Sequence, residues 1–344
     1  MKENTTITSL DVSSNGITSL GAKYFSESFK INSTLTEFNF SFNNIAYEGA
    51  EYLCDALKTN QSLKKLHLVC NKIGDAGCLA LSALFKHNTS ISFIDIMSNG
   101  FTHAGIALIC EALKTNRSIT HLDLSSNKFG LDGIKSILEL VKSNTTLKHL
   151  NISYCHDLNN EETSKIVTEI LKNNSLEELS LDNNKVTSES CQWIGEGLRA
   201  NNTLRILSLV DNDIGAEGCI WLSDPLKFNQ SLVSLNLLNN PITREGLKWL
   251  KMALQFNEAL TDLDVSKDMT HSTQLDKKLE ENRANQKIAK ENVFIVMNNI
   301  IRRKENFEVF PLEIWHLIFS KLKLPGITCD FGKIFKTLHK KKTK

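Results

Sequence analysis

Apolar and polar positions alternate from the start of the chain to Asp268 in a unit that recurs ten times, almost always at a 28-residue spacing. Each unit opens with an apolar residue at places one, four and six. Asn usually follows at place nine and an apolar residue at eleven. Leu63, Leu66, Leu68, Asn71 and Ile73 are one example; Ile119, Leu122, Leu124, Asn127 and Phe129 are another. The units start at Ile7, Leu35, Leu63, Ile91, Ile119, Leu147, Leu176, Leu204, Leu232 and Leu260. Places four and six have the two-residue period of a strand, so they point inward, while three, five and seven face solvent. Gly stands at place fifteen as Gly21, Gly49, Gly77, Gly105, Gly133, Gly218 and Gly246. Apolar residues come four and eight places later, as in Leu53 and Leu57 or Leu81 and Phe85, which predicts one face of a helix. Each unit therefore reads as strand, turn, helix, turn.

Asn at place nine is predicted to bond backbone groups of adjacent turns and form a ladder. A second Asn sits at place twenty-six (Asn32, Asn60, Asn88, Asn116, Asn144, Asn201, Asn229 and Asn257) and is predicted to cap the helix in the left-handed conformation. The helix glycine is expected to let neighbouring helices approach closely. One unit cannot bury its apolar face alone, so ten in succession predict a solenoid.

This pattern resembles the leucine-rich repeat family, of the 28-residue ribonuclease-inhibitor type, over roughly three quarters of the chain. The resemblance implies an α/β horseshoe with a parallel sheet on the concave face and helices outside. Ten strands give an inner arc of roughly 45 Å. The sixth unit departs from the pattern: it is one residue longer, with Cys155 in the asparagine place and Glu161-Glu162 where the helix glycine belongs. The seventh has Ser190 for Gly. A local irregularity of curvature is expected there.

The repeats occupy residues 1–285, the tenth being degenerate, with Lys278 and Asn282 at apolar places as a polar terminal cap. The first strand, from Ile7 to Val12, is expected to be a partly exposed edge. Residues 286–306 read as a capping or linker helix. Residues 307–344 hold a second apolar stripe and a basic tail. Pro311, Leu312, Ile314, Trp315, Ile318, Phe319 and Leu322 resemble the opening helix of an F-box. That resemblance implies docking on a Skp-type adaptor of a cullin ubiquitin ligase; the alternative is a helical cap on the solenoid.

A formal net charge of +1 over 344 residues gives the whole chain no bias toward nucleic acid, and none is expected as a partner. The first six residues lack the apolar stretch of a secretory signal, and no run suits a membrane span. Seven of the eight cysteines lie in the repeats, and the set is read as reduced thiols of a cytoplasmic protein. A monomer without cofactor or metal is expected. The Asn-, Lys- and Ile-rich composition and the mixed modules also resemble an effector of an intracellular bacterial pathogen, which implies the host cytosol.

Function is expected on outward strand residues and adjoining loops: a protein-interaction scaffold, not an enzyme. Phe42, Val69, Phe93 and Met97 beside Asp95 form one candidate contact patch; Ile206, Val210 and Leu238 form a second. His67, His121, His149 and Tyr154 complete the set, with His121 and His149 in one column on adjacent strands. A metal or acid–base site can be drawn from these histidines with Asp95 and Asp123, but a polar surface is the preferred reading. Nothing supplies an oxyanion hole, so a Ser-His-Asp triad is rejected. Cys329 is the only cysteine between Thr270 and Lys344, a segment too short for a Cys-dependent ligase domain.

Overall fold

The computed structural model describes residues 2–155, 158–265 and 276–288. Strands and helices alternate in chain order: β1 Ser9–Asp11, α1 Ser19–Phe29, β2 Glu37–Asn39, α2 Ala46–Leu57, β3 Lys65–His67, α3 Gly74–His87, β4 Phe93–Asp95, α4 His103–Leu113, β5 His121–Asp123 and α5 Gly130–Ser143. They continue as β6 His149–Asn151, α6 Glu161–Leu171, β7 Glu178–Ser180, α7 Ser190–Ala200, β8 Ile206–Ser208, α8 Ala216–Phe228, β9 Ser234–Asn236, α9 Arg244–Leu254 and β10 Asp262–Asp264. All ten strands pair in parallel in one sheet, each beside its sequence neighbours. Every strand covers places three to five of its unit. Adjacent strands lie about 4.8 Å apart while packed helices need about 8–10 Å, so the sheet takes the inner side of the curve.

One apolar layer runs the length of the solenoid between sheet and helices. Leu66, Leu68, Leu81 and Phe85 are fully or almost fully buried, as are the matching residues of other units. Gly49 and Gly246 fit the expected close approach of neighbouring helices. A Cβ on Gly49 would lie 3.2 Å from Ala22 Cβ and from Ser19 Cα of the preceding repeat, and one on Gly246 would lie 3.0 Å from Ala216 Cα. The six cysteines Cys54, Cys78, Cys110, Cys155, Cys191 and Cys219 are buried free thiols. Burial pushes those of Cys54, Cys110 and Cys219 up to about 12, far from the reactive thiolate form.

Both asparagine columns are ladders. Asn127 Oδ1 accepts from the backbone of Asn99 at 3.0 Å and Phe101 at 3.1 Å, while its Nδ2 donates to the carbonyls of Leu124, Ser125 and Ile96. The second column corrects the expected left-handed cap. Asn88 (φ −78°, ψ 131°) and Asn144 (φ −101°, ψ 122°) are extended. The Asn88 backbone N–H closes its own helix on the Leu84 carbonyl at 2.8 Å, while the side chain joins repeats: Nδ2 donates to the carbonyls of Leu57 and Asn60 in the preceding repeat, and Oδ1 accepts from Ser90 and Ile91. The extended backbone carries this amide toward the preceding turn. Asn282, expected as a polar substitute on the cap, is fully buried and continues this ladder onto the carbonyls of Asn257 and Leu260. Residues 276–288 are helical.

The left-handed conformation appears at place eight instead. Ser14, Phe42, Cys70, Ser98, Ser126, Tyr154, Asn183, Asp211 and Asn239 all have φ between 50° and 59°. This turn ends each strand and sends the chain to the outer side. At the sixth unit the strand register passes unbroken from His149 to Glu178. The irregularity falls on the helical side: α5 and α6 pack more sparsely than other neighbouring helices. Buried hydroxyls replace the missing glycines, with Ser164 Oγ donating to Ser190 Oγ at 3.0 Å and Thr168 Oγ1 to the Trp193 carbonyl at 2.8 Å. The first strand is an edge with Ile7 42% exposed.

Candidate functional site: the strand face

Parallel register without slip turns each outward place into a straight column. Place three reads Glu37, Lys65, Phe93, His121, His149, Glu178, Ile206 from β2 to β8. Place five reads Asp11, Asn39, His67, Asp95, Asp123, Asn151 from β1 to β6. Side chains a strand spacing apart must touch, and at the centre of the sheet they are rings.

The His121 and His149 rings stack with centroids 3.7 Å apart and planes 8° from parallel. Phe93 lies 5.7 Å from His121 and 4.9 Å from His67, so four rings from four repeats form one row. Both ends are acidic. His149 Nδ1 is 2.8 Å from Glu178 Oε2, and His67 Nε2 is 3.4 Å from Glu37 Oε1. The hydrogen bond from His149 holds the Glu178 carboxyl below its usual range. His121 is held below the ordinary imidazole value, first by burial and then by the charge of His149. Asp123 is pushed above its ordinary value by burial, against the hydrogen bonds donated by Ser125 and Asn151 and with further help from Asp95. A shallow depression of about 170 Å³ opens here, lined by Phe93, His121, Asp123, His149, Asn151, Glu178 and Ser180.

The sequence candidates divide accordingly. Phe93, Asp95, His67, His121 and His149 come together in this row, with Met97 half-buried just beyond β4. Val69 does not offer a contact surface, being only 8% exposed. Phe42 (58% exposed) and Tyr154 (42%) stand at place eight, on the turns that end β2 and β6. Ile206 is exposed on β8, with Val210 and Leu238 half-buried at place seven of neighbouring repeats. Pro311, Leu312, Ile314, Trp315, Ile318, Phe319 and Leu322 lie outside the described residues, as do the basic tail and Cys329.

Sequence reasoning missed Glu178, Glu37 and Thr120, whose hydroxyl is 2.8 Å from His121 Nδ1. Extending the histidine column one repeat further, across the longer sixth unit, would have found Glu178. Among the described residues, no three His, Cys, Asp or Glu side chains converge as a metal site.

The leucine-rich repeat family model matches eight segments, residues 3–26, 32–54, 59–82, 115–138, 143–161, 172–194, 200–223 and 228–250. Together these span more than half of the chain, which belongs to the leucine-rich repeat family. The unmatched stretch from 83 to 114 folds as the same unit, β4 and α4. Among solved structures, the chain is similar to the leucine-rich repeat-containing protein LegL7 from Legionella pneumophila, at 18% identity and a TM-score of 0.55, covering 81% of this chain and 91% of that one. It is also similar to the tropomodulin C-terminal domain of Caenorhabditis elegans, at 21% identity and a TM-score of 0.41, covering 46% of this chain and 98% of that one. No curated protein matches the chain.

Proposed function

We propose that this protein is a non-enzymatic scaffold that binds a protein partner across the concave strand face, centred on the row from His67 to Glu178. The observation behind this reading is that row. Neighbouring strands hold four rings in one row, three of them lining an open depression, so binding costs little ordering entropy. A standard footprint of about 800 Å² per partner fits within the inner arc. The leucine-rich repeat fold is consistent with such a role, and nothing in the row supplies a nucleophile with an oxyanion site. Phe93→Asp should abolish capture of the partner, identified first by proximity labelling with the full chain. Phe93 is half-buried on the surface, so thermal stability should stay nearly unchanged. Undiminished capture by the variant refutes the reading.

A narrower version is favoured by the segment from Pro311 to Leu322, whose spacing matches an F-box helix. In that version the repeats hold a target while this segment holds a Skp-type adaptor, in the manner of a ubiquitin-ligase substrate receptor. Purified adaptor should bind the full chain and lose binding to the Trp315→Ala, Phe319→Ala variant. No binding by the intact chain removes this version and leaves the scaffold reading standing. Delivery into a host cytosol as a bacterial effector is part of the same proposal and rests on composition and mixed modules. Among the described residues, no helix is long and apolar enough to cross a membrane.

A further inference from the structure

The strand face is acidic on a chain that is otherwise balanced. At places three and five of the ten strands stand Asp11, Glu37, Asp95, Asp123, Glu178, Asp262 and Asp264; the one lysine or arginine is Lys65. The whole chain has 40 Lys and Arg against 39 Asp and Glu. Asp262 is paired with Arg283 at 2.7 Å and Glu37 with Lys65 at 3.5 Å. Asp95 lies 3.8 Å from His67 Nδ1 and accepts from the backbone N–H of Met97 at 3.2 Å. Neither Asp95 nor Asp123 has a lysine or arginine partner among the described residues, and the two stand in direct register on β4 and β5. Like charges placed opposite each other on adjacent strands repel.

The rings beside them present acceptors. A carboxylate can only accept, so the proton shared by His149 and Glu178 sits on His149 Nδ1. With its one proton donated to the Ser92 carbonyl at 3.1 Å, the Thr120 hydroxyl can accept from His121 Nδ1 at 2.8 Å. An imidazole that is neutral with its proton on Nδ1 keeps the Nε2 lone pair free to accept. Stacking at 3.7 Å sets the two rings side by side, with carboxylates on either flank and the Phe93 ring as an apolar wall.

We infer that this face docks a basic segment of a protein partner, with an arginine guanidinium seated in the depression between Phe93 and Glu178. The inference rests on the strand-face reading above and names the chemistry of its partner. Guanidinium offers several N–H donors in a planar fork, which suits two neighbouring acceptor nitrogens and a carboxylate, and it is weakly hydrated, which suits a half-buried site against an aromatic ring. A lysine ammonium is a strongly hydrated point charge and fits this arrangement less well. The cation also relieves the repulsion between Asp95 and Asp123.

Fluorescein-labelled hexaarginine titrated into the full-length chain tests this by anisotropy, with hexalysine and hexaglutamate in parallel. Hexaarginine should bind most tightly and weaken as salt rises from about 50 mM to about 300 mM. Glu178→Gln with Asp123→Asn should weaken it about tenfold or more, and Glu139→Gln on the outer face of α5 should not. Glu178→Gln alone, isosteric and at the surface, decides the matter if the double variant melts early. No hexaarginine binding, equal binding of hexalysine, or indifference to Glu178→Gln overturns the assignment. If Phe93→Asp still abolishes partner capture in that case, only the arginine assignment falls. If Phe93→Asp leaves capture intact, the contact surface falls and the assignment with it.

Discussion

At the scale of the residue, the turn at place eight puts side chains where backbone sterics disfavour them. A non-glycine residue in the left-handed region costs roughly 1–2 kcal/mol. Ser, Asn and Asp lessen that cost through local hydrogen bonds, but Phe42 (φ 56°) and Tyr154 (φ 59°) do not have that means. Both are exposed rings beside the strand face, which is the pattern of residues kept for contact rather than for folding. Phe42→Gly is therefore expected to raise stability by about 1 kcal/mol, measured by urea unfolding, while weakening partner capture. A loss of stability would show that the ring is a packing element. His121 gives a second handle. Its imidazole titrates lower in the folded chain than the ordinary value, so the unfolded chain takes up the proton first as pH falls. His121 thus contributes nothing above about pH 6.5 and a loss of stability as pH drops below it. Thermal scans should show a smaller fall in melting temperature between about pH 6.5 and about pH 5 for His121→Phe than for the wild type. The histidines themselves are visible in the sequence. Their tautomers are not, because these depend on Thr120 and on Glu178, which lies a full repeat away.

At the scale of the element, the strands and helices are legible because burial enforces them. Places one, four and six must be apolar for the sheet to have an inner face, and a glycine is required where a Cβ would meet the preceding helix, as at Gly49 and Gly246. The role of the second asparagine is not legible. Its identity suits a helix cap, but two backbone donors and two carbonyls from different repeats claim its amide, as at Asn88. The ladders should be expensive to break. Asn127 is fully buried and serves five backbone groups, so Asn127→Ala leaves several of them unpaired. An expected loss of about 3 kcal/mol or more, read from denaturant unfolding, follows from the cost of stranding such groups. The surface substitution Asn239→Ala, in the adjoining column, should cost far less, although Asn239 Nδ2 donates to Asp211 at 2.8 Å. The sixth unit illustrates the limit of the pattern. The sheet keeps its columns there while the helices α5 and α6 pack more sparsely.

At the scale of the whole molecule, one consequence of straight columns outweighs the rest. Residues one full repeat apart become nearest neighbours, so a chain with a net charge of +1 can still present a face rich in carboxylates and rings. Composition summed over the chain hides that sorting; composition read by column reveals it. The central claim is that the row from His67 to Glu178 is where a partner sits. Hydroxyl-radical footprinting of the chain with and without its captured partner tests this most directly, because reactive side chains lie on both surfaces. Phe93, Met97, His121 and His149 are on the strand face, while Tyr24, Tyr52 and Phe228 are exposed on the helical side. The account requires the partner to protect the first group and leave the second as reactive as before. Protection of Tyr24, Tyr52 and Phe228 with undiminished oxidation of Phe93 and His149 would contradict it.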